Sequence, residues 1–585
     1  MSSVDFPPET LRQYALLADG ERGAVVGPRG DVAFLCAPRW HDPAVFSSLI
    51  GGAGLFAVTP EDRYVWGGHY EPDTLIWRSR WVTEDGGILE CREALARPAD
   101  PGRLVLLRRI EVVEGEGCLQ VVLDPRADFG RHDHDLAPSS RPDVWEGSSG
   151  PLRIRWQGVP QGARRTPDGV VGSVRLRAGQ SHDLVLEMSG ARLPDRPVLA
   201  DDAWRATEAA WTTGAGSLRD SVAPADARHS CAVLRGLTSS THGMVAAATM
   251  SLPERADIDR NYDYRYAWIR DQAYAGQAAA KAGAHDLLLS ASEFVAARLL
   301  EDGPALKPAY TVDGGAVPEE RSLPLLGYPG GSDKVGNWVT DQFQLDAFGE
   351  ALLLLAAAAE QGVLSPDHRQ AALVAGRAIT HRWRDPDAGI WELDDRQWTH
   401  SKLICAAGLR RFAHASPEAA TNDWDRLADR IVAATARTSL HPSGRWQRAP
   451  DLPGVDAALL LPALRGAVPA EDPRSLATRR AVKEELARDG YVYRFRHGDV
   501  PLHEAEGAFL LCGFHMAMAT HQVGDEVEAA RWFERNRSAV GPPGLFTEEF
   551  DVEQRQLRGN LPQGFVHAAQ LEAGVTLAEP ATGPG

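Results

Sequence analysis

Cysteine, lysine and long apolar runs are all scarce in this 585-residue chain, and each scarcity excludes something. The six cysteines, at positions 36, 91, 118, 231, 405 and 512, show no C-x-x-C spacing, so they suggest neither a zinc knuckle nor a disulfide framework and read as reduced packing residues. No metal-ligand spacing is visible, and no cofactor is expected. Lysine occurs only at 281, 307, 334, 402 and 483; the basic residues are otherwise arginine, a bias of base composition in the source genome. No stretch approaches the roughly 18 consecutive apolar residues of a membrane helix. The opening Met1-Ser-Ser-Val-Asp-Phe-Pro-Pro-Glu-Thr10 has no basic segment followed by an apolar one, so a cytosolic protein without a membrane partner is expected. The formal net charge of -18 argues against a nucleic-acid partner, because phosphate backbones require a basic footprint, and it agrees with a neutral small-molecule ligand. A homo-oligomer is allowed, and the oligomeric state is left open.

With 44% hydrophobic and 24% charged residues the chain reads as globular, and its length exceeds one ordinary core, so two domains are expected. From about residue 20 to 200, short apolar runs such as Asp31-Val-Ala-Phe-Leu35 and Leu119-Gln-Val-Val-Leu123 alternate with Gly/Pro turns. That spacing predicts an antiparallel β-sandwich over 1–205. A linker is expected over 206–223. From 224 to 578 the texture changes to alanine- and leucine-rich runs with apolar residues recurring at three and four, as in Asp346 to Leu355. About twelve helices fit, many paired through loops that carry aromatic and acidic residues. Six such hairpins suit a toroid of inner and outer helices, although periodicity alone leaves an open helical solenoid equally allowed. A frayed Pro/Gly tail is expected over 579–585.

Asn261-Tyr-Asp-Tyr-Arg-Tyr-Ala-Trp-Ile-Arg-Asp271 packs three tyrosines, a tryptophan, two arginines and two aspartates into eleven residues. Aromatic faces cover the C–H face of a pyranose while carboxylates and guanidinium forks hold its hydroxyls, so one reading is a sugar pocket. The other is a buried polar girder, which uses the same residue types.

Together with Met244-Val-Ala-Ala-Ala-Thr-Met-Ser-Leu-Pro-Glu254, this stretch resembles the start of the catalytic domain in glycoside hydrolase family 15. Further ordered matches are Leu35-Cys-Ala-Pro-Arg39, Gly336-Asn-Trp338, Gln342-Phe-Gln-Leu-Asp346, Gly389-Ile-Trp-Glu392, Thr399-His-Ser-Lys402, Glu506-Gly-Ala-Phe509, Thr547-Glu-Glu-Phe-Asp551 and Gly559-Asn-Leu-Pro-Gln563. The resemblance implies an N-terminal antiparallel β-sandwich followed by a C-terminal (α/α)6 toroid.

Hydrolysing a glycosidic bond with inversion calls for one protonated carboxyl to release the leaving oxygen and one carboxylate to activate water. Glu392, following Trp391, is the candidate acid, with an aromatic neighbour to desolvate it. In the family resembled, the glutamate of this Trp-Glu pair is the acid. Glu548 is the candidate base, since the family's second carboxylate is the first glutamate of the matching pair; Glu549 is the alternative. The resemblance also implies that Arg270 and Asp271 grip the terminal glucosyl unit and that Tyr264 stacks on it. Trp338, Trp391 and Arg494 are further substrate-binding candidates, with core packing or a surface ion pair the competing readings for Trp338 and Arg494. His400 and Lys402 either order the loop beside the acid or touch ligand.

The chain departs from relatives at Tyr262 and Ala267, at Asp394-Asp395 in a shortened loop, and at Ala406, Arg410 and His515. Changes on the acceptor side are expected to reshape the leaving-group subsite. The expected activity is exo-hydrolysis of a terminal α-glucosyl residue, with α,α-trehalose ahead of short malto- or isomalto-oligosaccharides and no metal required. The rivals are a disaccharide phosphorylase of similar architecture, in which phosphate replaces the base, and a silent sugar-binding protein.

Overall fold

The computed structural model describes residues 6–214, 217–256, 260–416 and 423–581. Two eight-stranded antiparallel sheets form the N-terminal layer pair. The first runs Ala15–Ala18, Gly23–Val26, Asp31–Cys36, Leu55–Pro60, Glu116–Asp124, Gly169–Arg177, Arg164–Thr166, with Ala44–Phe46 beside Asp31–Cys36. The second runs Ala137–Pro138, Val144–Ser149, Leu152–Gln157, Ser181–Ser189, Arg103–Glu114, Ile88–Leu95, Trp77–Thr83, Tyr64–Tyr70. Alternation explains the packing: along Trp77–Thr83 the side chains of Trp77, Ser79, Trp81 and Thr83 turn inward while Val82 faces out. Phe56, Trp81, Leu106 and Trp156 fill the space between the sheets.

Helix α1 (Ala200–Gly214) occupies much of the stretch expected as a linker. Trp204, Thr207 and Trp211 fall on one face at helical spacing and are buried. Arg92 covers the Trp204 ring at 4.3 Å and Arg97 covers Trp211 at 4.4 Å, so this segment is seated on the sandwich rather than free. The expected tail at 579–585 lies mostly outside the described residues.

The helical region comprises α2 (Pro224–Leu237), α3 (Ile269–Ala282), α4 (His285–Asp302), α5 (Asp346–Glu360), α6 (Pro366–Arg382), α7 (Thr399–Ala415), α8 (Trp424–Thr438), α9 (Leu461–Leu464), α10 (Pro473–Leu486), the single turn α11 (Leu502–Ala505), α12 (Leu510–His521), α13 (Glu526–Arg537) and α14 (Gly564–Thr576). Burial sorts them. Helix α8 buries only Trp424, Leu427, Ala428, Ile431 and Thr435, the stripe of an outer helix, whereas α5 is buried almost all round. Neighbour contacts run α3 to α5, α5 to α7, α7 to α9, α9 to α12 and α12 to α14, and α14 returns to α3. This ring closes, which an open solenoid cannot do. Where α5 meets α7, a Cβ on Gly349 would lie 2.8 Å from backbone of Ile404 and Cys405, and one on Gly408 would lie 2.4 Å from the Gly349 carbonyl, so glycine sets that close approach.

Among the described residues no helix is long and apolar enough to cross a membrane.

Candidate active site

The N-terminal ends of the inner helices, with the loops leading into them, surround a cavity of about 280 Å³, near the lower end of the range for small-molecule sites. Its wall includes Tyr264, Arg270, Trp338, Trp391, Glu392, Arg494 and Glu548, together with Glu254, Arg260, Tyr262 and Phe565. The helix ends matter electrostatically, because unpaired N–H groups there favour nearby negative charge.

The segment 261–271 is both pocket and girder. Tyr264, Trp268 and Arg270 work toward the cavity, as the bonds described below show. Asp263, Arg265 and Tyr266 turn the other way: Arg265 donates to Asp263 Oδ1 at 2.9 Å and Oδ2 at 2.7 Å, and Tyr266 donates to Oδ2 at 3.2 Å. Arg265 also reaches the sandwich, donating to the Asp42 carbonyl at 2.9 Å and the Trp40 carbonyl at 3.2 Å. The motif thus bolts the two domains together and lines the cavity at once.

Glu392 stands in the loop before α7 with φ of 56°, in the left-handed region that a residue with a side chain adopts only when its surroundings compel it. Arg270 Nη1 donates to the neighbouring Ile390 carbonyl at 2.7 Å and pins this loop. Trp268 Nε1 donates to Glu392 Oε1 at 2.8 Å, Gln344 Nε2 to the same oxygen at 3.4 Å, and Arg270 Nη1 lies 3.5 Å from it. The Glu392 side chain is 22% exposed. Trp391 does not cover it in the way the sequence suggests. Its indole Nε1 donates instead to Asp456 Oδ1 at 2.9 Å, and its ring meets Phe509 edge-on at 5.6 Å. Trp268 is the aromatic partner of the acid candidate.

Glu548 precedes the strand Glu549–Asp551, which pairs with Ala508–Phe509 and Gln556–Arg558, and its carbonyl accepts from Leu510 N at 3.1 Å. Its Oε2 accepts from the Tyr264 hydroxyl at 3.1 Å. Burial pushes the Glu548 carboxyl well above the ordinary range, and the charges of Glu254 and Glu549 add to that against the pull of Arg494. Glu549 points away from the cavity: Gly507 N donates to its Oε2 at 2.7 Å and Arg260 to its Oε1 at 3.0 Å. Burial raises it to about 8 despite Arg260. Of the two adjacent glutamates, only Glu548 lines the cavity.

The Tyr264 and Trp268 rings meet edge-to-face at 5.6 Å, so the two carboxyls hang from opposite members of one aromatic pair. Asp271 is fully buried behind Arg270, which donates to its Oδ1 at 3.1 Å, and is absent from the cavity wall; burial lifts it to about 6. Trp338 is 45% exposed at the mouth, so it is no core residue. Arg494 is committed to Glu506 at 3.0 and 2.6 Å and lies over the Phe509 ring at 4.1 Å. Burial opposes charge on Glu506, but Arg494, His497 and Arg260 outweigh it and hold the carboxyl at about 2. His400 is buried and pushed down to about 3, and Lys402 Nζ donates to Gln397 Oε1 at 2.6 Å; neither is on the cavity wall.

The expectation for the acceptor side needs correcting at Arg410. It lies eleven residues into α7 from the cavity end, about 16 Å along the axis, and donates to the Ala467 carbonyl at 2.8 Å. His515 is buried in α12 against Tyr274, at 6.1 Å between ring centroids. A larger cavity of about 560 Å³ opens at the C-terminal ends of the inner helices. There Lys281 pairs with Glu579, Arg411 with Glu360 and Arg465 with Glu572, so its carboxylates are neutralised and form no acid–base pair.

Sequence reading gave no role to Glu254, Arg260, Trp268, Gln344 or Phe565. The four-residue spacing from Tyr264 to Trp268 is the one local signal, and the rest depend on loops far apart in the chain.

Residues 234–575 match the family model for glycosyl hydrolases family 15, and residues 7–201 match the model for trehalase-like N-terminal domains. The chain is 30% identical to a trehalase of Mycobacterium tuberculosis over 97% of its own length and 89% of the relative's. It is 29% identical to a trehalase of Mycolicibacterium smegmatis, over 97% and 91%, and 27% identical to trehalase 1 of Sulfolobus acidocaldarius, over 96% and 98%. A bacterial glucoamylase complexed with acarbose superposes over 98% of this chain and 95% of its own with a TM-score of 0.72; at 13% identity that speaks to the fold alone.

Proposed function

The chain belongs to glycosyl hydrolases family 15, and on that premise we propose that it is an inverting exo-glycosidase for a terminal α-glucosyl residue, with α,α-trehalose as its first substrate. It is a glycoside hydrolase. One observation carries the assignment of roles: two carboxyls from distant loops face a single cavity, and each has one oxygen bonded to a member of the same aromatic pair. Trp268 occupies Oε1 of Glu392. That leaves Oε2 to carry the proton to the glycosidic oxygen. Tyr264 occupies Oε2 of Glu548. That leaves Oε1 to draw a proton from water attacking the anomeric carbon on the opposite face. Arg270, Tyr262, Tyr264 and the mouth residue Trp338 hold the terminal ring. The trehalase names of full-length relatives support trehalose over longer glucans, and a cytosolic address belongs to the same proposal.

An NMR time course on trehalose, maltose and isomaltose tests this. Inversion turns one trehalose into one β-glucose, from the attacked ring, and one α-glucose, from the leaving ring, before mutarotation. Two α-glucose molecules would mean retention. Glucose 1-phosphate appearing only with added phosphate would mean phosphorolysis, and binding without turnover would reduce the protein to a sugar-binding module.

A further inference from the structure

Four carboxyls, those of Glu254, Glu506, Glu548 and Glu549, crowd one corner of the cavity, and two guanidinium groups serve them. Arg260 lies 2.5 Å from Glu254, 3.0 Å from Glu549 and 3.8 Å from Glu506, while Arg494 lies 2.6 Å from Glu506. His497 adds a bond to Glu506 at 3.1 Å. Among the described residues, Glu548 is the one member of the four with no arginine, lysine or histidine in ion-pair range. Four negative charges against two positive ones in a buried site are costly to hold together, so the carboxyl without a counter-ion gains affinity for a proton.

The Tyr264 hydroxyl lies 3.0 Å from Glu254 Oε1 and 3.1 Å from Glu548 Oε2. It has one proton to give, so it cannot fully satisfy two ionised carboxylates. Glu254 is 3% exposed and lies on the cavity wall, and its backbone N–H bonds the Arg260 carbonyl at 3.0 Å, which keeps the carboxylate and its guanidinium in register. Glu254 has no place in acid–base inversion as set out above.

Building on that reading of Glu548 as base, we propose that Glu254 is a positioning residue for it: tied to Arg260 through one oxygen and to Tyr264 through the other, it keeps a negative charge directly beside Glu548 and so raises the affinity of Glu548 for the proton it takes from water. A base that must accept a proton from water gains from such a neighbour, since its affinity for that proton rises with local negative charge. The other groups facing Glu548 set the balance. Glu549 acts in the same direction as Glu254, Arg494 opposes both, and Tyr262, which stacks on Tyr264 at 6.0 Å, lies in the field of Glu254. Glu392 and Cys512 stand farther off in the same field.

The test is an infrared difference titration of the protonated-carboxyl band that disappears in Glu548→Gln. In Glu254→Gln, which keeps size and shape but removes charge, the midpoint of this band should fall by about one pH unit or more. In Tyr264→Phe, which removes a hydrogen bond to the ionised form, it should rise. Glu254→Asp should hold it near the wild-type position. An unmoved midpoint in Glu254→Gln, or shifts of the same sign in Glu254→Gln and Tyr264→Phe, would overturn the proposal. If Glu254→Gln does not fold, a Glu254→Asp midpoint that drops as far as one unit would overturn it as well. The acidic limb of kcat/KM against pH should follow the band. A band that moves as expected in a protein that releases no glucose would sink the hydrolytic reading and leave this one standing.

Discussion

In the sandwich, Arg108 and Glu93 are both fully buried and face each other, with Arg108 also donating to the carbonyls of Phe56 at 2.7 Å and Gly30 at 2.6 Å and Ser79 donating to Glu93 at 2.8 Å. In the toroid, Asp346 and Glu350 are as deeply buried and Glu548 is nearly so, yet among the described residues none has a cation in ion-pair range, and Asp346 leaves both oxygens without a partner. The sandwich joins opposite charges where burial would otherwise be costly, which is what a scaffold needs. The toroid leaves carboxyls unmatched along its axis, beneath and beside the cavity. Burial without a counter-ion raises a carboxyl's affinity for protons, and a site that moves protons needs such groups. Among the described residues of the sandwich, Asp31 is the exception, raised by burial to about 7.

The sharpest way to break this comparison is to neutralise one carboxyl of each cavity end. Glu392→Gln and Glu548→Gln should each lower turnover by about 10² to 10⁴ while leaving circular dichroism and melting temperature close to wild type, because general acid–base catalysis contributes on that scale. Near-normal rates in either variant would strip that residue of its role. The converse experiment is Arg108→Met. Leaving Glu93 buried and alone should cost about 3–5 kcal/mol in denaturant unfolding with little change in kcat per folded molecule. A loss of activity without a loss of stability would reverse the roles given to the two regions.

Stability against pH gives a subtler contrast. Burial raises Asp346 to about 6 and Glu350 to about 7, so the folded chain retains protons that the unfolded chain has released. Their contribution is complete below the unfolded carboxylate range and is lost as pH rises through their folded values, so the melting temperature should decline between about pH 4 and pH 7. Glu350→Gln should flatten that decline in part, with Asp346, Asp31, Asp271, Asp333 and Glu549 among the groups that carry the remainder. A slope identical to wild type would show that Glu350 is not protonated in the native state. The smallest effect belongs to the cavity mouth. Trp338→Ala should raise KM by about 2- to 10-fold, the scale of one aromatic contact, and leave unfolding within about 0.5 kcal/mol of wild type, as for other exposed positions.

Much of this could be read without coordinates where the signal is local. Alternating burial along Trp77–Thr83 and the striped face of α8 follow from spacing alone. The helix α1 was missed because a short tryptophan stripe between two domains reads as a connector until the surface it covers is known. Trp391 was given the place of Trp268 because adjacency to Glu392 is visible in sequence, whereas a ring 124 residues away is not. The choice between Glu548 and Glu549 is likewise beyond local reading. Neighbours on an extended strand face opposite ways, and the pairing of Phe509 with Glu549 decides which one is turned under Gly507. Arg494 was legible as a residue of the site but not as one already spent on Glu506.

Residue type and spacing by themselves determined the two textures of the chain and the supply of carboxyls and aromatics in loops, since each depends on near neighbours or on composition. Closing the ring of inner helices decided the rest. It brought Tyr264 within bonding distance of a glutamate 284 residues away and, among the described residues, left that glutamate with no cation in ion-pair range, because electrostatic environment is a property of everything within a few ångströms in space, and chain order says little about that.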